Sequence, residues 1–335
     1  MKKIICFALT LFMVLGMTGC NSSDKDVKIG VSLGVGAATR WKQEKEFMET
    51  RAKELGIEIE VRLNTTDKPK TQKEDCYELI DSGIDVLIIT PRDVNKVGDI
   101  IEYAKKKNVL VISYSRIVIG QEIDLYVGYD STKLGQNMGQ YLAEKVDHGD
   151  YIFLKGDIND FNTELVHTGA MKYLQPLRDN NKINVILDEY VKGWNPATAK
   201  QMVKDAIKKN NNKVDAILAP NDKIAQACAE ALDELGIKSY VEITGMDAEI
   251  DALKRINDGK QGMTFYLSLK DLAYAAIDAA NDLAQDNDLK TNARIDNKSS
   301  TKVNAYLING QMIVKENMKA QIIDKGIYTE DQVTK

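Results

Sequence analysis

The 335-residue sequence predicts an α/β protein of two doubly wound lobes, and three observations carry that expectation. Short runs rich in β-branched residues, apolar on both faces, recur along the chain, as strands buried inside parallel sheets require. Amphipathic segments of helical period fall between them, which implies right-handed crossovers. About ten such strands are more than one open sheet usually holds. Roughly 310 residues remain once the leader is set aside, more than a single core of about 250–300 residues accommodates.

The first five strands are expected at 27–33, 57–63, 86–90, 109–114 and 125–129 and make one lobe. The second group, at 151–156, 183–191, 216–220, 241–246 and 262–267, makes the other. Between them the helix at 39–55 carries Trp41, Phe47, Met48, Ala52 and Leu55 on one face and stops at Gly56, a C-terminal cap. Helices follow at 69–81, 93–107 and 131–146, the first ending before Gly83. The helix at 196–209 starts with Pro196 in its first turn. Helices at 222–235 and 247–257 stop at Gly236 and near Gly259, and another spans 269–283. The polar stretch 285–302 reads as a loop, followed by short strands at 304–308 and 312–315.

The N-terminus reads as a targeting segment. Lys2 and Lys3 precede an uncharged apolar run, 4–15, too short to span a bilayer comfortably. Met17-Thr18-Gly19-Cys20 resembles the bacterial lipobox, which implies cleavage before Cys20 and lipid on its thiol. The alternative is a plain secretory signal with a chance cysteine; the position of Cys20 at the end of the apolar run favours lipidation. Residues 1–19 are then the signal peptide and 20–26 a flexible tether. No later stretch is apolar enough to span, so membrane contact runs through the lipid alone. A net charge of −5, with basic residues spread along helices, gives no sign of nucleic-acid binding. Cys76 and Cys228 sit far apart in helical segments and read as separate buried thiols rather than a disulfide. His148 and His167 lack ligand-spaced neighbours, so no metal site is expected, and no cofactor.

Ligands of open α/β sheets bind at the carboxyl ends of strands. The first strand leads into Gly34-Val35-Gly36-Ala37-Ala38-Thr39, a near miss to the dinucleotide fingerprint. Thr39 replaces the third glycine, and the second strand ends in Asn64 rather than an acidic residue, so this reading is set aside. The two tryptophans are sharper. Trp41 opens the first helix of the first lobe; Trp194 lies between the 183–191 strand and the helix at Pro196 in the second. A pyranose ring has C–H faces that pack on indoles, and one from each lobe could sandwich it. Taken singly, each is more simply a core aromatic; the pairing, one per lobe at the same kind of junction, favours binding. Arg40, Ser115, Arg116, Asn159, Asp160, Asn162, Asn221, Asp222 and Asp247 gather at the same strand ends. Helix capping accounts for at least one of Asn221, Asp222 and Asp247. No nucleophile motif or metalloprotease motif occurs, and no carboxylate pair is spaced for glycoside hydrolysis. The chain therefore does not read as an enzyme.

These segments resemble the type I sugar-binding proteins of bacterial ABC importers, and within them the D-xylose binders. The resemblance covers nearly the whole mature chain. It runs through Val27-Lys28-Ile29-Gly30, Arg40-Trp41, Ser113-Tyr114-Ser115-Arg116 and Val127-Gly128-Tyr129-Asp130. It continues in Gly193-Trp194-Asn195-Pro196, Asn221-Asp222, Gly245-Met246-Asp247-Ala248 and Met263-Thr264-Phe265-Tyr266. It implies lobes joined by a three-strand hinge, 27–129 with 268–300 against 130–267 with 301–325, the tail strands lying near the second lobe or the hinge. It implies ligand contacts from Arg40, Trp41, Arg116, Asn162, Trp194, Asn221 and Asp247, with Ser115 standing where the family usually has Asp and Leu267 where it usually has Lys. It also implies a monosaccharide ligand, D-xylose first, bound at the extracellular or periplasmic face. The partner is either an ABC permease or the extracellular domain of a sensor histidine kinase. A receptor for another monosaccharide and a secreted sugar-active α/β enzyme are the alternatives.

Overall fold

A computed structural model of the protein describes residues 26–34, 39–64 and 72–335. The leader, Cys20, most of the tether, residues 35–38 and the expected helix start at Pro69 lie outside them.

The first lobe is built from β1 (Lys28–Leu33), α1 (Thr39–Leu55), β2 (Glu58–Leu63), α2 (Gln72–Asp81), β3 (Val86–Ile89), α3 (Gly98–Lys106), β4 (Leu110–Tyr114) and β5 (Leu125–Tyr129). Residues of the central strand β3 are all buried, and their alternation sorts them between two cores. Val86 and Ile88 join the core with Met48 and Ala52 of α1, whereas Leu87 and Ile89 join Leu79 of α2 and Ile100, Ile101 and Ala104 of α3. A strand apolar on both faces thus becomes the middle layer of a sandwich, each fully buried aliphatic side chain contributing about 1.5–3 kcal/mol.

The second lobe repeats the plan. It contains α4 (Ser131–Lys145), β6 (Gly149–Lys155), α5 (Phe161–Asp179), β7 (Ile183–Tyr190), α6 (Pro196–Lys209), β8 (Ala216–Leu218), α7 (Asp222–Glu234), β9 (Glu242–Ile243), α8 (Ile250–Asn257) and β10 (Thr264–Tyr266). Its parallel sheet runs β7-β6-β8-β9, matching β2-β1-β3-β4 of the first lobe. Tyr151 and Phe153 of β6 face α4 and α5; Ile152 and Leu154 face α6 and α7. Helix α5 has no counterpart among the expected helices. It presents mainly small residues to its neighbour, and Gly135 and Gly139 of α4 lie against the carbonyls of Val166 and Ala170, while Gly169 of α5 lies against that of Thr132. A face of glycine and alanine carries little apolar periodicity, yet it lets two backbones approach closely.

The chain then returns. Helix α9 (Leu269–Ala284) packs Leu272, Ala276 and Ile277 into the first-lobe core with α1. The expected loop 285–302 contains a short strand, β11 (Ala293–Ile295), antiparallel to β12 (Val303–Ile308). Strand β12 lies in the first-lobe sheet rather than in the second lobe that the resemblance implies for 301–325. It pairs in parallel with β5, from Ala305 opposite Tyr126 to Ile308 opposite Tyr129, because Val303 and Ala305 fill a small core around Ile117 and Tyr126. The first-lobe sheet is therefore seven-stranded, β11-β12-β5-β4-β3-β1-β2. Strand β13 (Gln311–Ile313) pairs antiparallel with β10, and α10 (Lys315–Met318), a following π turn and α11 (Glu330–Thr334) cover α8. The chain crosses between lobes after Tyr129, after Leu267 and between Ile308 and Gln311. The first and third crossings are tied by a bond from the Asp130 amide to Ile308 O at 3.2 Å.

Cys76 and Cys228 are buried free thiols in α2 and α7. No helix among the described residues is long and apolar enough to cross a membrane.

Candidate functional site

The carboxyl ends of both sheets open onto one cavity of about 520 Å3. Arg40, Trp41, Ser115 and Arg116 line it from the first lobe, and Asn162, Trp194, Asn221 and Asp247 from the second. All eight of these border a single space, as do Asn159 and Asp160, whereas the candidate Asp222 does not line it.

The two tryptophans reach it by equivalent routes. Strands β1 and β6 hold the same position in their sheets, and each ends near a glycine, Gly34 and Gly156. The Trp41 indole lies against Gly34 and the Trp194 indole against Gly156, so closely that a Cβ at either position would run into the ring. Trp41 is 7% exposed and belongs to the first-lobe core; Trp194 is half-buried and packs on the α6/α7 core. Trp194 itself takes φ 54°, after Gly193 at φ 64°, a conformation that turns the indole back over the strand end. Left-handed backbone at a bulky residue costs about 1–3 kcal/mol and persists where the surroundings enforce it. Ser115, at φ 62°, and Asp247, at φ 104°, are held in the same region of backbone space. Three of the eight lining residues are thus strained.

Arg40 is fixed from three sides. Its guanidinium stacks on Trp41 at 4.7 Å, donates to Glu44 Oε1 through Nε at 3.2 Å and Nη2 at 3.0 Å, and donates to Ser115 Oγ at 2.8 Å. Burial would lower the Arg40 pKa, but Glu44, Tyr129 and Asp247 more than offset it and keep the group cationic. Burial pushes the Glu44 carboxyl up, and the two contacts from Arg40 oppose that. Across the cleft, Arg116 Nε pairs with Asp160 Oδ2 at 2.8 Å, and Asn162 Nδ2 donates to Ser115 O at 2.6 Å. These two contacts join the lobes directly. They also spend the Asn162 amide nitrogen on backbone rather than on the cavity.

Capping shapes the remaining contacts. Asp160 caps α5 by accepting from the Asn162 amide at 3.2 Å, and Asn221 caps α7 by accepting from Ile224 at 2.9 Å, leaving its Nδ2 for the cavity. Asp247 caps nothing: its carboxylate is exposed to the cavity and makes no side-chain hydrogen bond among the described residues. Poor solvation deep in the cleft raises its pKa, with Arg40 opposing. Beneath it, buried Asp222 organises the 246–249 turn. It accepts from the Glu249 amide at 3.0 Å, Thr264 Oγ1 at 2.9 Å and Gln261 Nε2 at 3.0 Å. Burial, then the Asp247 charge, push Asp222 up to about 8.

Several further lining residues were not among the sequence candidates, Arg92, Tyr129, Asp157 and Glu249 among them. Arg92 and Asp157 follow β3 and β6, so the strand-end rule alone could have found them. Tyr129 closes β5 at the first crossing, where its sequence reads as core. Asp157 receives the Gly193 amide and so fixes the loop that carries Trp194.

A family model for a periplasmic binding protein domain matches residues 29–288. The chain is 31% identical over 331 residues to a D-xylose-binding periplasmic protein of Escherichia coli, covering 99% of this chain and 100% of that one. A D-xylose-binding periplasmic protein of Haemophilus influenzae is also 31% identical, with 99% of each chain covered. Among solved structures, an ABC transporter solute-binding protein of Clostridium phytofermentans with bound β-D-glucose superposes with a TM-score of 0.84. It is 26% identical and covers 91% of this chain and 99% of its own.

Proposed function

Because the chain belongs to the sugar-binding branch of the periplasmic binding protein family, and its lobes meet around one cavity, we propose that it binds a pentose there, D-xylose first, and closes on it. The single observation that carries this reading is the pair of indoles at equivalent strand ends, one from each lobe, bordering the same space. Their faces suit the C–H faces of a pyranose. Donors on Arg40 and Arg116, the Asp247 carboxylate and the Asn221 amide border the same cavity, a set suited to vicinal hydroxyls. Arg40 is compensated by Glu44 and Arg116 by Asp160, so neither of these arginines offers an anionic ligand an uncompensated counter-charge.

A ligand touching both lobes stabilises the closed form by its differential affinity for that form. That form is then read by a membrane partner. An ABC permease is the partner favoured here, since the structural relative from Clostridium phytofermentans is described as an ABC transporter solute-binding protein. Lipid on Cys20 would hold the protein at the outer face of the membrane. Titration calorimetry with D-xylose, D-ribose and D-glucose tests the binding reading: heat with D-xylose is expected, and no heat with any monosaccharide would overturn it. Cross-linking in membranes with xylose present should capture a permease; capture of a sensor histidine kinase instead would assign the protein to sensing. A Cys20→Ala chain should lose incorporation of labelled fatty acid and leave the membrane fraction.

A further inference from the structure

We propose that Glu44, buried behind the site, is the residue that makes the cavity select uncharged sugars over sugar acids, by neutralising Arg40 from outside the cavity. It is a positioning and charge-balancing residue that acts through Arg40. The inference rests on the monosaccharide reading above.

Arg40 borders the cavity, whereas Glu44 does not and is 0% exposed. Both stand on α1, and their i, i+4 spacing brings the side chains together. The two bonds that Glu44 receives from Arg40, through Nε at 3.2 Å and Nη2 at 3.0 Å, go to Oε1. The other partners of the guanidinium are the Ser115 hydroxyl, at 2.8 Å, and the Trp41 ring, neither of which carries a charge. Among the described residues Glu44 is therefore the only carboxylate in contact with Arg40, and Arg40 the only cation paired with Glu44. Asp247 acts on Arg40 at longer range. Burial pushes the Glu44 carboxyl up, while Arg40 and the Tyr114 hydroxyl favour its charged form.

A guanidinium does not lose its proton in a protein, so its charge can be cancelled but not titrated away. Paired one to one with Glu44, Arg40 can donate hydrogen bonds to sugar hydroxyls without presenting a net cation. With the Glu44 charge removed, the cation is left uncompensated in a poorly solvated cleft. Its field there reaches over several ångströms, so a carboxylate on the sugar ring need not touch Arg40 to be attracted, nor an ammonium to be repelled. Asp247 repels anions too, but it is the same in parent and variant and cancels from the comparison.

Glu44→Gln keeps the shape of the side chain and removes its charge. Calorimetry on the full mature protein, with competition against D-xylose for weak ligands, compares D-xylose, D-glucuronate and protonated D-glucosamine. The variant should bind D-xylose less tightly, while its glucuronate-to-xylose affinity ratio rises at least about tenfold over the parent's. The glucosamine-to-xylose ratio should fall. Glu44→Asp, which keeps the charge, should leave both ratios near the parent's. Glu44→Met, which fills the same space without burying an unpaired amide, replaces Glu44→Gln should that variant not fold. If Glu44 serves structure alone, all three ligands weaken in proportion and the ratios stay put, which would overturn the inference. So would ratios for glucuronate and glucosamine that rise together, or a parent protein that binds glucuronate as tightly as xylose. Absence of D-xylose binding to the parent would instead remove the reading beneath it.

Discussion

Trp41 and Trp194 differ in what they do for the fold, and that difference separates their roles experimentally. Trp41 is part of a core, so Trp41→Ala should cost about 3–5 kcal/mol of stability as well as sugar affinity. Trp194 is half-buried, so Trp194→Ala should reduce xylose affinity by about tenfold or more with a smaller fall in Tm. Calorimetry and thermal melts of the two variants check both halves of that contrast. Asp222 yields a prediction of a different kind. Its carboxyl is raised from 3.8 to about 8, so the folded state holds a proton that the unfolded chain releases near pH 4. Its contribution is present below the unfolded value and is lost as pH rises toward 8. Asp160 and Glu242 are shifted in the same direction by burial, and Asp247 by poor solvation in the cleft. Surface carboxylates such as Asp81 and Glu234 are shifted down by their lysine partners and titrate below this window. Asp222 should therefore contribute a fall in Tm between about pH 5 and 8, against the opposite slope from His167, whose burial lowers its pKa, and Asp222→Asn should remove that falling contribution. A slope unchanged by that substitution would remove Asp222 as its source. At this scale the sequence shows residue types and little else. Both tryptophans, both arginines and Asp247 are visible at strand ends, but nothing in the letters Ser115, Trp194 and Asp247 announces left-handed backbone. Nor do they reveal that of two neighbouring candidates Asp222 is buried while Asp247 faces the cavity.

Among the elements, the pair α4 and α5 is held by proximity of backbone rather than by large side chains. Gly135→Ala would drive its methyl group into the Val166 carbonyl, and the helices would have to separate. The expected loss is about 2 kcal/mol or more, read as a fall in the denaturation midpoint without a change in the sugars bound. The same construction explains why α5 went unread. Its buried face is Thr163, Gly169, Ala170 and Leu174, too sparse in large apolar residues to give a helical period, and Pro176 argues locally against helix. The lobe that receives β12 is not legible in the sequence for a related reason. Its pattern specifies a strand with Val303 and Ala305 on one face, but which sheet edge receives it depends on β5, 179 residues away in the pairing of Ala305 with Tyr126. Elements whose hydrophobic faces close locally, such as α1, β3 and α6, were legible to within a few residues.

Over the whole molecule, three crossings at the hinge join the lobes, and contacts such as Arg116 to Asp160 and Asn162 to Ser115 O hold them together at the cleft. These contacts exist between protein groups alone, so they help set how far the unliganded lobes favour closure. Removing one side of the pair, as in Asp160→Ala, leaves Arg116 half-buried without its partner and should shift the free protein toward opening. Apparent sugar affinity falls in proportion to the closed fraction. Small-angle scattering should show a larger radius of gyration for the unliganded variant than for the unliganded parent, with the two converging when sugar saturates both. Equal unliganded radii would mean that the pair does not govern closure.

The central claim is that one small neutral sugar fills the space between the two indoles, and a crystal structure of the protein grown with D-xylose tests it most directly. The account predicts the pyranose lying between Trp41 and Trp194, its hydroxyls on Arg40, Arg116, Asn221 and Asp247. A sugar seated elsewhere, or touching the residues of one lobe alone, would contradict it.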